Sequence, residues 1–77
     1  MKDMKETEKI IKGSILLSTL GFVEVLKDYN ENSKSIICMY NNAGIFLSKE
    51  QILKNLGCIS MKNAVKIVHE KYPEYLL

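Results

Sequence analysis

The feature that most constrains this chain is the run from Ile10 to Leu26, where Ile10, Ile11, Ile15, Leu16, Leu17, Leu20, Phe22, Val23, Val25 and Leu26 are all apolar. Plotted at helical pitch, Leu16, Leu20 and Val23 form one stripe and Ile15, Phe22 and Leu26 a second. A helix apolar on most of its circumference must be buried on most of it. The whole chain is 77 residues, which is one domain and leaves little other protein to do the covering. The run therefore predicts an N-terminal helix, within residues 1–28, that buries itself against a second copy. Ile15, Leu16, Leu20, Phe22, Val23 and Leu26 are its expected dimer interface. Ser14, Ser18 and Gly21 make a strip of small side chains where another helix can approach. A rival reading stays open: Phe22-Val-Glu-Val-Leu26 alternates with period two, and Gly21 can turn a hairpin.

The rest of the chain divides at the polar stretch Asp28 to Ser33. Met1 to Lys9 alternates in charge and reads as a solvated, fraying helix start. After the break, Ser33 or Asn32 can cap a helix with Ile36, Ile37, Tyr40 and Ala43 on one face. Gly44 suits its left-handed C-terminal position, and Ile45-Phe46-Leu47 reads as a short strand at most. Ser48-Lys-Glu-Gln51 has the form of a capping box for a short helix buried through Ile52, Leu53 and Leu56 and ended by Gly57. Ser60 caps a further helix from Met61 to about Lys71, which Pro73 closes. The expected fold is all-α.

Composition excludes several classes. Apolar residues are 47% and charged residues 26%, an ordinary globular balance. The longest uncharged stretch, Ser35 to Ser48, is 14 residues, short of the roughly 20 a transmembrane helix needs. Asp3, Glu6 and Glu8 interrupt the N-terminal lysines, and no small-x-small cleavage site follows, so a cytoplasmic chain is expected. Cys38 and Cys58, without a CxxC and with the single His69, do not make a zinc site, and buried thiols are the plainer reading. No metal or other cofactor is expected. Neither a catalytic triad nor a paired-carboxylate site is visible, and Lys12-Gly13-Ser14 lacks the upstream glycine of a phosphate loop. The chain does not read as an enzyme.

Net charge is +2, with eleven lysines and no arginine. The excess lies near the C-terminus, where Lys49, Lys54, Lys62, Lys66 and Lys71 outnumber Glu50 and Glu70 over residues 48–72. On the predicted 61–71 helix, Ala64, Ile67, Val68 and Met61 share one side, while Lys62, Asn63, Lys66, His69 and Glu70 face away.

The order of apolar residue, glycine, apolar residue, serine and two buried helical positions is carried by Leu47-Ser-Lys-Glu-Gln-Ile-Leu-Lys-Asn-Leu-Gly57, Ile59-Ser60, Ala64 and Ile67. Over residues 33–72 it resembles the helix-turn-helix and winged-helix-like DNA-binding superfamily. Cys58 lengthens the turn by one residue, Leu53 stands where the compact form has alanine, and Pro73 to Leu77 is too short for a β-hairpin wing.

The resemblance implies a small dimeric transcriptional repressor that reads duplex DNA with helix 61–71. Ser48, Lys49, Ser60, Lys62, Asn63 and Lys66 are its implied DNA-binding residues, with phosphate held at the helix N-terminus and Asn63 available to adenine. Without arginine, lysine–phosphate attraction and DNA shape carry recognition. The layout is also similar to TubR-type centromere-binding adaptors of plasmid or phage partition. An alternative from another class is a protein–protein interaction module that uses the apolar segment 10–26.

Overall fold

A computed structural model describes residues 9–76, and the chain folds there as a five-stranded antiparallel sheet with one α-helix. The strands are β1 (Ile15–Ser18), β2 (Gly21–Val25), β3 (Ile36–Tyr40), β4 (Ala43–Leu47) and β5 (Ile52–Gly57). Single 3-10 turns occupy Lys49–Gln51 and Pro73–Leu76, and the helix, α1, spans Met61–Lys71. Strand order across the sheet is β4-β3-β2-β1-β5. The first four strands thus form a meander, and β5 returns to pair with β1.

The all-α expectation is wrong, and so is the helix-turn-helix. Three of the four predicted helices are strands or turns, and only 61–71 is helical. The apolar run 10–26 is the β1–β2 hairpin, joined through Thr19-Leu20, with Leu16 opposite Val23 and Leu17 opposite Phe22. The rival hairpin reading is the one observed, except that Thr19-Leu20 makes the turn and Gly21, expected there, is the first residue of β2. Ser18 fixes its turn: the hydroxyl donates to the Gly21 carbonyl at 2.8 Å and its oxygen accepts from the Leu20 N–H at 3.1 Å.

The segment expected as a helix over 33–43 is the β3–β4 hairpin. Asn41 and Asn42, with φ of 51° and 65°, form its two-residue turn. Left-handed geometry at both central residues is what a type I′ turn requires, and asparagine tolerates it. Gly44 is not a helix terminus but an interior residue of β4, which includes the expected stub 45–47.

The capping box exists but caps a single turn. Gln51 Oε1 accepts from the Ser48 N–H at 2.9 Å, after which the chain enters β5 rather than a helix. Only Lys9 of the expected Met1–Lys9 helix start lies within the described residues, and it is not helical.

Alternation across the sheet makes two faces. On the inner face Leu16, Val23, Val25, Ile36, Cys38 and Leu47 join Ile10 in one buried cluster, with Tyr29, Tyr40, Ile45 and Ile52 packed against it. Burying each of the large aliphatic side chains stabilises the fold by about 1.5–3 kcal/mol. Strand β1 is buried along its whole length. Leu16 points inward, whereas Ile15 and Leu17 point to the outer face and are equally covered.

Their cover is α1. Residues directly opposite in an antiparallel pair share a face, so Lys54, opposite Leu17, is on the outer face. Its Nζ stands 4.6 Å from the centre of the Tyr72 ring, at the C-cap of α1. The helix therefore lies over the β1–β5 side of the outer face, burying Ala64 and Val68. No helix among the described residues is long and apolar enough to cross a membrane.

Candidate nucleic-acid interface

Helix α1 is set by local chemistry. Ser60 Oγ accepts from the Asn63 N–H at 3.1 Å and the Ser60 carbonyl accepts from the Ala64 N–H at 2.9 Å, which satisfies backbone donors of the first turn. At the other end the Tyr72 N–H donates to the Val68 carbonyl, and Pro73 prevents further helix. Lys71 in the last turn complements the negative end of the helix dipole.

The two faces separate as helical periodicity predicts. Ala64 and Val68 are fully buried and Ile67 half-buried, whereas Lys62, Asn63, Lys66, His69 and Glu70 are exposed. Met61, expected inward, remains 41% exposed.

The six residues expected to touch DNA do not form one group. Lys62, Asn63 and Lys66 share the solvent side of α1. Ser60 is beside them, but its oxygen is committed to the cap. Ser48 and Lys49 lie before β5 and Ser60 after it, so the six-residue strand separates them by about 20 Å at 3.3 Å per residue. Ser48 is half-buried, with its hydroxyl donating to Gln51 Oε1 at 3.3 Å. Lys49 is exposed on the turn.

The expected dimer interface is spread through the fold rather than displayed. Ile15, Leu16 and Val23 are buried by the chain's own strands and helix. Phe22 and Leu26 are half-buried, and only Leu20, at the hairpin turn, is 47% exposed. A strand with two apolar faces needs cover on both, and the sheet core and α1 provide it without a second copy.

The fold adds one lysine that linear reasoning left out. Lys54 joins the helix layer through β5. The neighbouring Asn55, opposite Leu16, belongs to the other face, where its Nδ2 donates to the Lys9 carbonyl at 2.9 Å. Lys62, Lys66 and Lys71 are exposed on α1, and Lys54 reaches the C-cap of the helix from β5. The β2–β3 loop mixes Lys27 and Lys34 with Asp28 and Glu31, and there the Lys12 N–H donates to Asp28 Oδ1 at 2.7 Å. The sequence signal for Lys54 was its place in the lysine-rich 48–72 segment, but its face depended on β5 being a strand.

Among the described residues no three His, Cys, Asp or Glu side chains come together as a metal site. Cys38 is buried and Cys58 exposed, both as free thiols. Burial pushes the Cys38 thiol above its ordinary pKa, because desolvation disfavours the thiolate. No protein-family model, curated protein or solved structure matches the chain.

Proposed function

We propose that this is a non-catalytic DNA-binding protein that docks duplex DNA on the exposed face of α1 and regulates by occupying its site. The supporting observation is the placement of Lys62, Asn63 and Lys66 together on the solvent side of a helix anchored by Ala64 and Val68. An α-helix on an antiparallel sheet can enter a major groove without a second helix behind it, provided its outward face is free. Lys62 and Lys66 neutralise phosphates, and the Asn63 amide matches the donor–acceptor pair on an adenine edge. Lysine alone supplies no bidentate grip on guanine, so attraction to the backbone carries most of the affinity.

The test is fluorescence anisotropy of the full chain with a generic duplex, titrated over a range of salt concentrations. Binding is expected to weaken steeply with salt, with a slope of about 0.9 per neutralised phosphate. Lys62→Ala with Lys66→Ala is expected to reduce that slope by about 1–2. Lys27→Ala with Lys34→Ala, on the β2–β3 loop, leaves it unchanged. Absence of binding at about 50 mM salt, or an equal loss in both double variants, refutes the proposal.

A further inference from the structure

The two edge strands of the sheet are built differently. The ladder between β5 and β1 carries register shifts on both sides of the Leu16–Leu17 pair, and β5 bears Lys54 and Asn55. Irregularity and charge are devices that stop an edge from templating another strand. Strand β4 has neither. Its ladder to β3 runs through five consecutive pairs without a shift. Its sequence, Ala-Gly-Ile-Phe-Leu, has no charge and no proline, and lies inside the uncharged stretch Ser35–Ser48.

Alternation along β3 and β4 shows which backbone groups of this edge have no partner among the described residues. The Leu26 N–H donates to the Ile37 carbonyl at 2.9 Å, so Ile37 and Met39 turn their backbone groups toward β2. By alternation, Ile36, Cys38 and Tyr40 bond to their β4 partners Leu47, Ile45 and Ala43. The N–H and C=O groups of Gly44 and Phe46 therefore point away from the sheet.

Side chains at the same two positions are complementary. Gly44 and Phe46 stand on the outer face, opposite Met39 and Ile37. Phe46 is 72% exposed, the highest value among the exposed large apolar residues described. A Cβ at Gly44 would meet nothing within 4 Å, and Gly44 is not in the left-handed region. Neither its backbone nor its intrachain neighbours require glycine there.

We propose that β4 pairs antiparallel with β4 of a second copy of this chain, about a two-fold axis through Ile45. In that register Gly44 faces the partner's Phe46 and Phe46 faces the partner's Gly44. These are the positions with outward backbone groups, so four inter-chain hydrogen bonds form: each Gly44 N–H to a Phe46 carbonyl and each Phe46 N–H to a Gly44 carbonyl. Each phenyl ring covers the other chain's glycine and extends over Met39 of that chain, in the manner of aromatic rescue of an edge glycine. The contact is isologous, and two uncharged strands meet without the repulsion of like charges placed opposite one another. A foreign extended segment would use the same backbone groups but would leave the ring and the glycine slot on one edge unaccounted for. One strand pair and two rings make a small interface beside the roughly 1,200 Å² of stable complexes, so the dissociation constant is expected to be micromolar.

Sedimentation equilibrium of the full chain, from micromolar to submillimolar concentration, tests this. The wild-type chain is expected to show a monomer–dimer equilibrium. Gly44→Val fills the slot with a residue the strand itself favours, so it is expected to melt no lower than wild type yet dimerise roughly tenfold more weakly, or worse. Phe46→Lys, which charges the edge, is expected to abolish the dimer. A wild-type chain that stays monomeric throughout, or a dimer that Gly44→Val and Phe46→Lys leave intact, overturns the proposal.

Discussion

Replacement of Asn42 by alanine separates the hairpin from the helix by the sign of its effect. In the structure Asn42 has a φ of 65° and its neighbour Asn41 a φ of 51°. An L-residue with a Cβ in this region is destabilised by roughly 1–2 kcal/mol, and asparagine recovers part of that through local hydrogen bonding. Asn42→Ala should therefore lower stability by about 1 kcal/mol. In a helix the same change would raise stability by up to about 0.7 kcal/mol, because alanine is the better helix former. Asn42→Gly removes the steric penalty but gives the unfolded chain more freedom, worth about 0.4–1 kcal/mol, so its net effect should be small. Urea unfolding followed by far-UV circular dichroism reads the difference. With a slope near 1 kcal/mol/M for so small a domain, the midpoint of Asn42→Ala should fall by about 1 M, and its Tm by about 4–8 °C. An Asn42→Ala variant as stable as wild type, or more so, would refute the left-handed turn and the β3–β4 register that depends on it.

Two further outcomes follow from the outer layer and the core. A double-mutant cycle of Lys54→Met and Tyr72→Leu should yield a coupling of roughly 0.5–1 kcal/mol, and zero coupling would mean that the C-terminal end of α1 does not sit over β5. The raised Cys38 pKa predicts that thiol reagents modify Cys58 in the folded protein and reach Cys38 only on unfolding. The same shift makes the contribution of Cys38 to stability complete below the ordinary thiol pKa; it is lost as pH rises from there toward the higher folded value. Cys38→Ala should flatten that alkaline decline in chemical unfolding.

What could be read from the sequence was what local interactions decide. Helix α1 is bounded by a cap hydrogen bond within four residues, by Pro73, and by the spacing of Ala64 and Val68, so its limits and its outward face were legible. Strand β2 was half-legible, since Val23 and Val25 alternate with Glu24 as a sheet with one wet face requires. Strand β1 was not. Ile15-Leu16-Leu17 is apolar at every position because the sheet core covers one face and α1 the other, and a short continuous apolar run cannot be told from a buried helix by periodicity. β3 misled for a related reason: Ile37 and Met39 are apolar on the outer face, so Ile36, Ile37 and Tyr40 mimicked helical spacing. The Asn41-Asn42 pair was the available turn signal, and its left-handed tolerance outweighed the nearby Gly44 that suggested a helix end.

The Ser48–Gln51 box shows how a correct local motif can point to a wrong element. Its hydrogen bonds form, but they are satisfied within one turn and say nothing about the residues that follow. What makes Ile52 to Gly57 a strand is pairing with β1, in which Leu17 meets Lys54 from the other half of the chain. That long-range choice removed the first helix of the predicted DNA-binding pair while leaving the second in place. It also brought Lys54 to the Tyr72 ring at the C-cap of α1. The argument that residues 10–26 need a second copy lost its premise for the same physical reason. A helix apolar all round demands a partner, whereas a central strand is covered within its own fold, and the large apolar side chain left most exposed among the described residues is Phe46 on the edge strand β4.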